Sequence, residues 1–237
     1  MKIKRFSEWR LGDYFRQLSI VILGIVVTFM ASDALSEYSK SRELKKAMQL
    51  VREELRLNRE NVRKIADWVK MNQYVGRMML SAGKNLEGIP DDTLQKYVNI
   101  PFQTEDFLYT NHALELLKTS SLFQQMRDKE HALQLIRAYA ELELVARTMD
   151  FFMTEKIKRM EEHGAAVKER TGNGYSTAGK ENSMRELWIS NLSYTEFQNI
   201  FYFMLGCFED TDGYFREVDE KLAATMEMID GKYGTAE

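Results

Sequence analysis

Histidine, cysteine and carboxylate side chains are the groups from which this chain could build a catalytic or metal centre. A di-iron site in a helical bundle needs two Glu-x-x-His pairs with further inward carboxylates, and the sequence contains no Glu-x-x-His. The three histidines, His112, His131 and His163, stand next to polar residues near predicted helix ends. The pattern favours surface or helix-capping roles for all three over metal ligation or base catalysis.

The sulfur-containing residues give no better case for a reactive site. Cys207 is the only cysteine, so neither an intramolecular disulfide nor a cysteine-rich zinc site is possible. The sequence has no glycine-rich phosphate loop and no nucleophile elbow. Among the methionines, which could bind copper, six fall on apolar helical positions: Met48, Met79, Met149, Met153, Met160 and Met204. We predict that these fill gaps in a core, that no cofactor or metal is bound, and that the protein is not an enzyme.

The composition predicts a mainly α fold. Of 237 residues, 44% are hydrophobic and 29% charged, a globular balance, and only Pro90 and Pro101 interrupt the chain. The formal net charge is −3, and residues 1–17 carry five basic and two acidic residues, so the remainder has a net charge of −6. A nucleic-acid partner is therefore not expected, because such binding needs a basic face.

The stretch FRQLSIVILGIVVTFMASDAL carries no charge between Arg16 and Asp33. A membrane helix needs about 20 apolar residues, and interfacial aromatic residues with a snorkelling arginine lengthen the usable segment. We predict a basic N-terminal segment at 1–16 and a transmembrane helix at 17–34. The predicted anchor residues are Tyr14, Phe15, Arg16, Leu18, Ile22, Gly24, Val27 and Phe29.

A cleavable signal peptide is the alternative, because Ser32-Asp33-Ala34 resembles a cleavage site. An uncleaved anchor is favoured, since the preceding segment is long and the helical pattern continues past this site. The basic residues before the span slightly outweigh those after it. The positive-inside rule then predicts a single-pass protein of the cytoplasmic (inner) membrane, with a cytoplasmic N-terminus and an extracytoplasmic body at 35–237.

An apolar face with steps of three and four follows the span. Its main positions are Leu44, Met48, Val51, Leu55, Asn58, Val62, Ile65, Val69 and Asn72. One interpretation is a bundle helix packed on its own chain, and this is favoured because two later segments could cover the face. The other is a coiled-coil seam between subunits, with Asn58 and Asn72 fixing the register.

Two later segments repeat the helical spacing. The second contains Leu135, Tyr139, Leu142, Ala146, Met149, Met153 and Met160, and the third contains Ile200, Met204, Cys207, Tyr214, Val218, Leu222 and Ile229. Gly83 ends the first helix, Asp128 caps the second, and a capping box opens the third at Ser193. We predict an extended bundle of three long helices plus short helices, with a mobile loop at about 164–182.

Two blocks of sequence resemble a known family. They are LSIVILGIVVTFMASDALSEYSKSRELKKAMQLVREELRLNRENV and TNHALELLKTSSLFQQMRDKEHALQLIRAYAELE. Together they are similar to a large uncharacterised bacterial family of membrane-anchored helical proteins, a domain of unknown function. The positions that carry the resemblance are Gly24, Ala113, Leu116, Leu117, Lys118, Ser120, Leu133, Ile136 and Tyr139. The resemblance implies the anchored architecture and transfers no catalytic residue.

These observations predict a membrane-anchored helical scaffold or protein-interaction protein. Its partners are then the lipid bilayer and another protein or a second copy of the chain. The alternative is a sensor-like bundle that binds a small ligand between helices, close to aromatic side chains. The aromatic residues in question are Trp68, Tyr74, Tyr139, Phe151 and Phe152.

Overall fold

The chain is mainly α-helical. The computed structural model describes residues 9–83, 85–124, 126, 128–172, 183–208 and 210–234, with side chains from residue 36 onward. The helices are α1 (Trp9–Ala82), α2 (Asp91–Tyr97), α3 (His112–Thr119), α4 (Ser121–Gln124), α5 (Lys129–Thr171), α6 (Met184–Leu192), α7 (Thr195–Gly206) and α8 (Thr211–Tyr233), with a 3₁₀ turn at Ile100–Phe102.

Helix α1 runs without interruption for 74 residues, which corresponds to about 110 Å at 1.5 Å per residue. No proline lies within it. Its last residue, Ala82, is followed by Gly83, whose φ of +56° suits the left-handed conformation that glycine adopts at low cost. The amide of Gly83 donates to the Met79 carbonyl at 3.0 Å. The predicted end of the first helix is therefore correct.

Only the C-terminal part of α1 packs in the bundle. Residues 36–43 are exposed on all sides, and Met48 is the first fully buried residue. From there the predicted apolar face is buried by the same chain, including Val51, Leu55, Val62 and Val69, while Leu44 is half-buried. Other parts of the same chain therefore cover this face.

Contacts between side chains define the directions of the long helices. Tyr139 bonds to Glu54 and Lys156 bonds to Asn72, so α5 runs parallel to α1. Ion pairs between α1 and α8 run in the opposite order, since Arg52 pairs with Asp230 and Lys70 with Asp212. Helix α8 is therefore antiparallel to α1 and α5.

The prediction of a single third long helix is wrong, because this part of the chain forms two helices. Helix α7 ends at Gly206 and α8 begins at Thr211. Asp210 caps α8 by accepting from the Gly213 amide at 2.8 Å, and buried Gln73 donates to the Phe208 carbonyl at 2.7 Å. The break is thus stabilised both by a local cap and by a side chain of α1.

Of the other predicted helix ends, one is confirmed and two are wrong. Asp128 caps α5, accepting from the amides of Glu130 and His131. The predicted capping box at Ser193 is absent, because Tyr194 is the N-cap of α7 and makes no side-chain cap bond. Helix α5 continues through 164–171, where we predicted the start of a loop, and residues 173–182 of that loop lie outside the described residues.

Because α5 is parallel to α1, the chain must return along the bundle between them. This return contains α2, α3, α4 and a stretch that is largely without regular structure, residues 99–111, which we call the crossing segment. Its contacts run antiparallel to α1: the Leu108 carbonyl accepts from Asn61, and Thr110 bonds to Asn58. The crossing segment therefore lies where a fourth helix of a bundle would lie.

Candidate functional site

Polar side chains are buried along the inner face of α1. Glu54, Asn58, Asn72 and Gln73 are each at most 8% exposed. A buried polar group without a partner is costly, so each must bond to something. The partners include backbone groups of non-helical segments and polar side chains of α5.

Asn58 bonds to both backbone groups of Thr110. Its Nδ2 donates to the Thr110 carbonyl at 2.7 Å, and its Oδ1 accepts from the Thr110 amide at 2.9 Å. The side chain thus replaces the backbone partner that the crossing segment lacks. Within the chain, Asn58 therefore holds the crossing segment against α1.

Glu54 connects three elements. One carboxyl oxygen accepts from the Ala113 amide at 2.9 Å, in the first turn of α3, and the other accepts from the Tyr139 hydroxyl at 2.5 Å. Burial and the neighbouring carboxyl group raise the pKa of Tyr139. A carboxyl group from α1 therefore stabilises the N-terminus of a short helix whose own N-cap residue, Asn111, makes no side-chain cap bond.

Lys156 is the most unusual member of this buried set, because it is fully buried. Its Nζ donates to Asn72 Oδ1 at 2.7 Å, to the Ile100 carbonyl at 2.9 Å and to the Gln103 carbonyl at 2.6 Å. The same atom lies 4.8 Å from the centre of the Trp68 ring. Burial lowers the pKa of Lys156 to about 7.

His163 corrects one sequence prediction, because it is buried and not a surface or cap residue. It is 1% exposed and packs among Phe102, Tyr194 and Phe197. Its Nε2 lies 3.1 Å from Asn191 Oδ1, and burial lowers its pKa. The side chain serves as part of an aromatic core at the end of the bundle remote from residue 36.

None of these groups forms an evident reaction centre. Within the described residues, no three His, Cys, Asp or Glu side chains lie close enough together to hold a metal ion. Lys156 and the Tyr139–Glu54 pair are enclosed by protein, so a substrate has no path to them in this conformation. Met48, Met79, Met149, Met153 and Met204 are buried in the apolar core, as predicted.

The aromatic residues predicted to surround a ligand do not share one cavity. Trp68 packs edge-on against Phe152 at 5.9 Å between ring centres, and Tyr139 is buried against Glu54. Tyr74 and Phe151 are exposed. Two grooves lie elsewhere. One of about 410 Å³ runs between α1 and α8 beside Asp219, and one of about 290 Å³ runs between α5 and α7.

The outer face of α5 is apolar as well as its inner face. Leu133, Ile136, Leu144 and Phe151 are between 42% and 59% exposed, and with exposed Ala140 they fall on one side of the helix. We call these five residues the outer face of α5. Sequence reasoning missed this face, although spacings of three, four and seven between its members could have indicated it.

The predicted anchor residues, Tyr14 to Phe29, lie outside the residues whose side chains are described. In the part of the chain where side chains are described, we find no helix long and apolar enough to cross a membrane.

The described residues place the chain in the mainly α class, as a bundle in which the crossing segment lies among the helices. Comparison with family models, with curated proteins and with solved structures gave no match.

Proposed function

We propose that the chain is a non-catalytic scaffold, anchored in the inner membrane of a bacterium by a single helix at 17–34. Its N-terminus is cytoplasmic, and its bundle stands outside the cytoplasm and binds another protein. The proposal includes membership of the class of anchored helical proteins that the sequence resembles.

One observation carries the proposal: α1 continues without a break from the apolar segment into the core of the bundle. Residues 36–43 form a helical spacer without covering neighbours, about 12 Å long at 1.5 Å per residue. A continuous helix transmits the orientation of the anchor to the bundle. This arrangement suits a protein that presents a surface at a fixed height above a membrane.

The outer face of α5 is the surface that we propose for protein contact. Exposed apolar side chains in one stripe are typical of helix-mediated binding. Because α5 runs parallel to α1, the stripe extends along the side of the bundle, with Leu133 at the end nearer the proposed membrane and Phe151 at the end farther from it. Arg137 and Arg147 lie beside this stripe, and each pairs with a carboxylate of its own helix, Glu130 and Glu143.

The sensor-like alternative has less support. Trp68, Tyr139 and Phe152 are occupied by contacts with their own chain, and the two grooves described above lie away from them.

Anchoring can be tested by fractionation of cells that produce the full chain. We expect the protein to stay in the membrane pellet after carbonate washing, because burial of an apolar span is not screened by salt. A periplasmic alkaline phosphatase fused after Glu237 should be active, and a green fluorescent protein at the same place should be dark. A soluble product that begins near residue 35 would establish the signal-peptide alternative.

The contact surface can be tested with a photo-crosslinking amino acid in the full chain in native membranes. Placed at Leu144, it should give a discrete product larger than the monomer. The matched control is Leu57 on α1, which is similarly exposed (45% against 50%) and should give none. Equal products from both positions, or none from either, would contradict a specific contact at the outer face of α5.

A further inference from the structure

The outer face of α5 continues beyond Phe151 into charged residues. Lys158 follows Phe151 by seven residues, and Glu162 follows Lys158 by four. Helix α5 is unbroken to Thr171, so these steps keep both residues on the outer side of the helix. The apolar stripe therefore ends in two charged residues of opposite sign, one helical turn apart.

Both charged residues also line the groove between α5 and α7. Its lining residues are Lys158, Arg159, Glu162, Asn199, Tyr202 and Phe203. From α7, Tyr202 adds an aromatic side chain that is 59% exposed, and exposed tyrosine beside apolar surface is typical of protein contacts. The stripe and this end of the groove thus form one surface, because Lys158 and Glu162 belong to both.

The charges of Lys158 and Glu162 are available to a partner. Both side chains are exposed, and in the described part of the chain neither makes an ion pair or a side-chain hydrogen bond. Their neighbour Arg159 differs, because it pairs with Glu155 at 2.7 Å. An exposed pair between Lys158 and Glu162 themselves would be weak, so it would compete little with the charges of a bound protein.

We propose that this surface binds an amphipathic helix of another protein, with an acidic residue opposite Lys158 and a basic residue opposite Glu162. The inference rests on the proposed function, since it names the kind of partner that the outer face of α5 takes. Apolar side chains supply most of the contact in such helix pairs, whereas flanking charges select the partner and its register. A helix with the opposite order of charges would meet like charges at both positions and be rejected.

Carbodiimide treatment of the full chain in native membranes tests the contact at Lys158. A partner carboxylate adds to the carbodiimide, the Lys158 amine attacks the activated carboxyl carbon to form an amide, and the urea leaves with the carboxylate oxygen. We expect mass spectrometry to find Lys158 joined to an Asp or Glu residue of another protein. Lys64 on α1, which is also exposed, is the matched control and should give no such product.

Three variants separate the charge of Lys158 from its reactivity. Lys158→Arg keeps the charge but cannot be coupled, so it should lose the carbodiimide product and keep the photo-crosslinked product from Leu144. Lys158→Glu should lower the Leu144 product at least about fivefold, because like charges then face each other. Lys158→Glu combined with Glu162→Lys keeps the net charge and should lower it as much, because the order of charges is reversed.

The outcomes distinguish this inference from the proposed function. Absence of a Leu144 product in the wild type would overturn both the proposed contact surface and the partner assigned to it. A wild-type Leu144 product that is unchanged by Lys158→Glu would overturn only the partner. Coupling of Lys158 only to residues of this chain, or equal coupling at Lys64, would do the same.

Discussion

Helix α1 holds antiparallel neighbours on two sides by different means. Toward α8 the contact is apolar inside, with ion pairs at its edge, where Asp219 accepts from Arg59 and Arg63 at 2.8 Å. Toward the crossing segment the contact contains the buried polar side chain Asn58, and Asn72 is linked to the segment through Lys156.

The difference follows from the backbone of the neighbour. A helix such as α8 satisfies its own amide and carbonyl groups, so its partner needs only apolar surface. An extended segment does not, so α1 and α5 supply side-chain donors and acceptors at the points of contact. Polar residues within an apolar stripe can therefore mark the place where a helix holds a non-helical segment of its own chain.

Asn58→Leu should have the largest effect on stability. It removes both hydrogen bonds between the buried Asn58 amide and the Thr110 backbone, each of which contributes about 0.5–1.5 kcal/mol, and up to about 3 kcal/mol where water cannot replace the lost partner. We expect the free energy of unfolding to fall by roughly 2–4 kcal/mol in denaturant titration. Asn61→Leu is the control, because its single bond to the Leu108 carbonyl is exposed.

The same variant also tests the subunit-seam alternative. At such a seam Asn58→Leu would tighten association and make stability depend on protein concentration. We expect no dependence on concentration.

Tyr139→Phe should have an intermediate effect. The change keeps the ring and removes the hydroxyl that donates to Glu54, which leaves one oxygen of a buried carboxyl group without a donor. Hydrogen bonds to charged groups contribute about 1.5–3 kcal/mol, so we expect a loss of about 2 kcal/mol. The double variant with Glu54→Gln measures the coupling. Additive losses would show that the two side chains do not act together.

Asp219→Asn should have the smallest effect, because its ion pairs lie at the edge of the α1–α8 contact. Partial burial opposes ionisation of Asp219, but hydrogen bonds from Arg59 and Arg63 outweigh it and lower its pKa to about 2. We expect a loss of about 1 kcal/mol at neutral pH, as for a partly exposed network. Lys70→Gln, at a more exposed pair, should cost less.

The pH dependence of the stability lost in Asp219→Asn gives a second test. The unfolded chain binds the Asp219 proton below about pH 3.8, whereas the folded chain does so only near pH 2. The stabilisation is therefore complete above pH 3.8 and is lost as the pH falls toward 2. Titrations at pH 5 and pH 2.5 should show the difference between wild type and Asp219→Asn shrinking. A constant difference would mean that the charge of Asp219 is not its source.

Some of the fold could be predicted because its causes are local. The helical class, the cap at Asp128, the end at Gly83 and the apolar faces depend on residues within one or two turns of each other. The sequence also contained a local indication that Lys156 is buried, which the prediction missed. The predicted stripe jumps from Met153 to Met160, and the intervening position on the same face is 156.

Tertiary structure alone decided which groups meet. The parallel direction of α1 and α5, the break between α7 and α8 and the partners of Asn58 and Lys156 depend on contacts between residues 52 to 135 positions apart. An asparagine in an apolar stripe is equally consistent with a subunit seam and with hydrogen bonds to another segment of the same chain. Its amide can bond to a partner in either place. Only the position of the crossing segment, fixed when the whole bundle packs, supplies the carbonyl and amide groups that distinguish them.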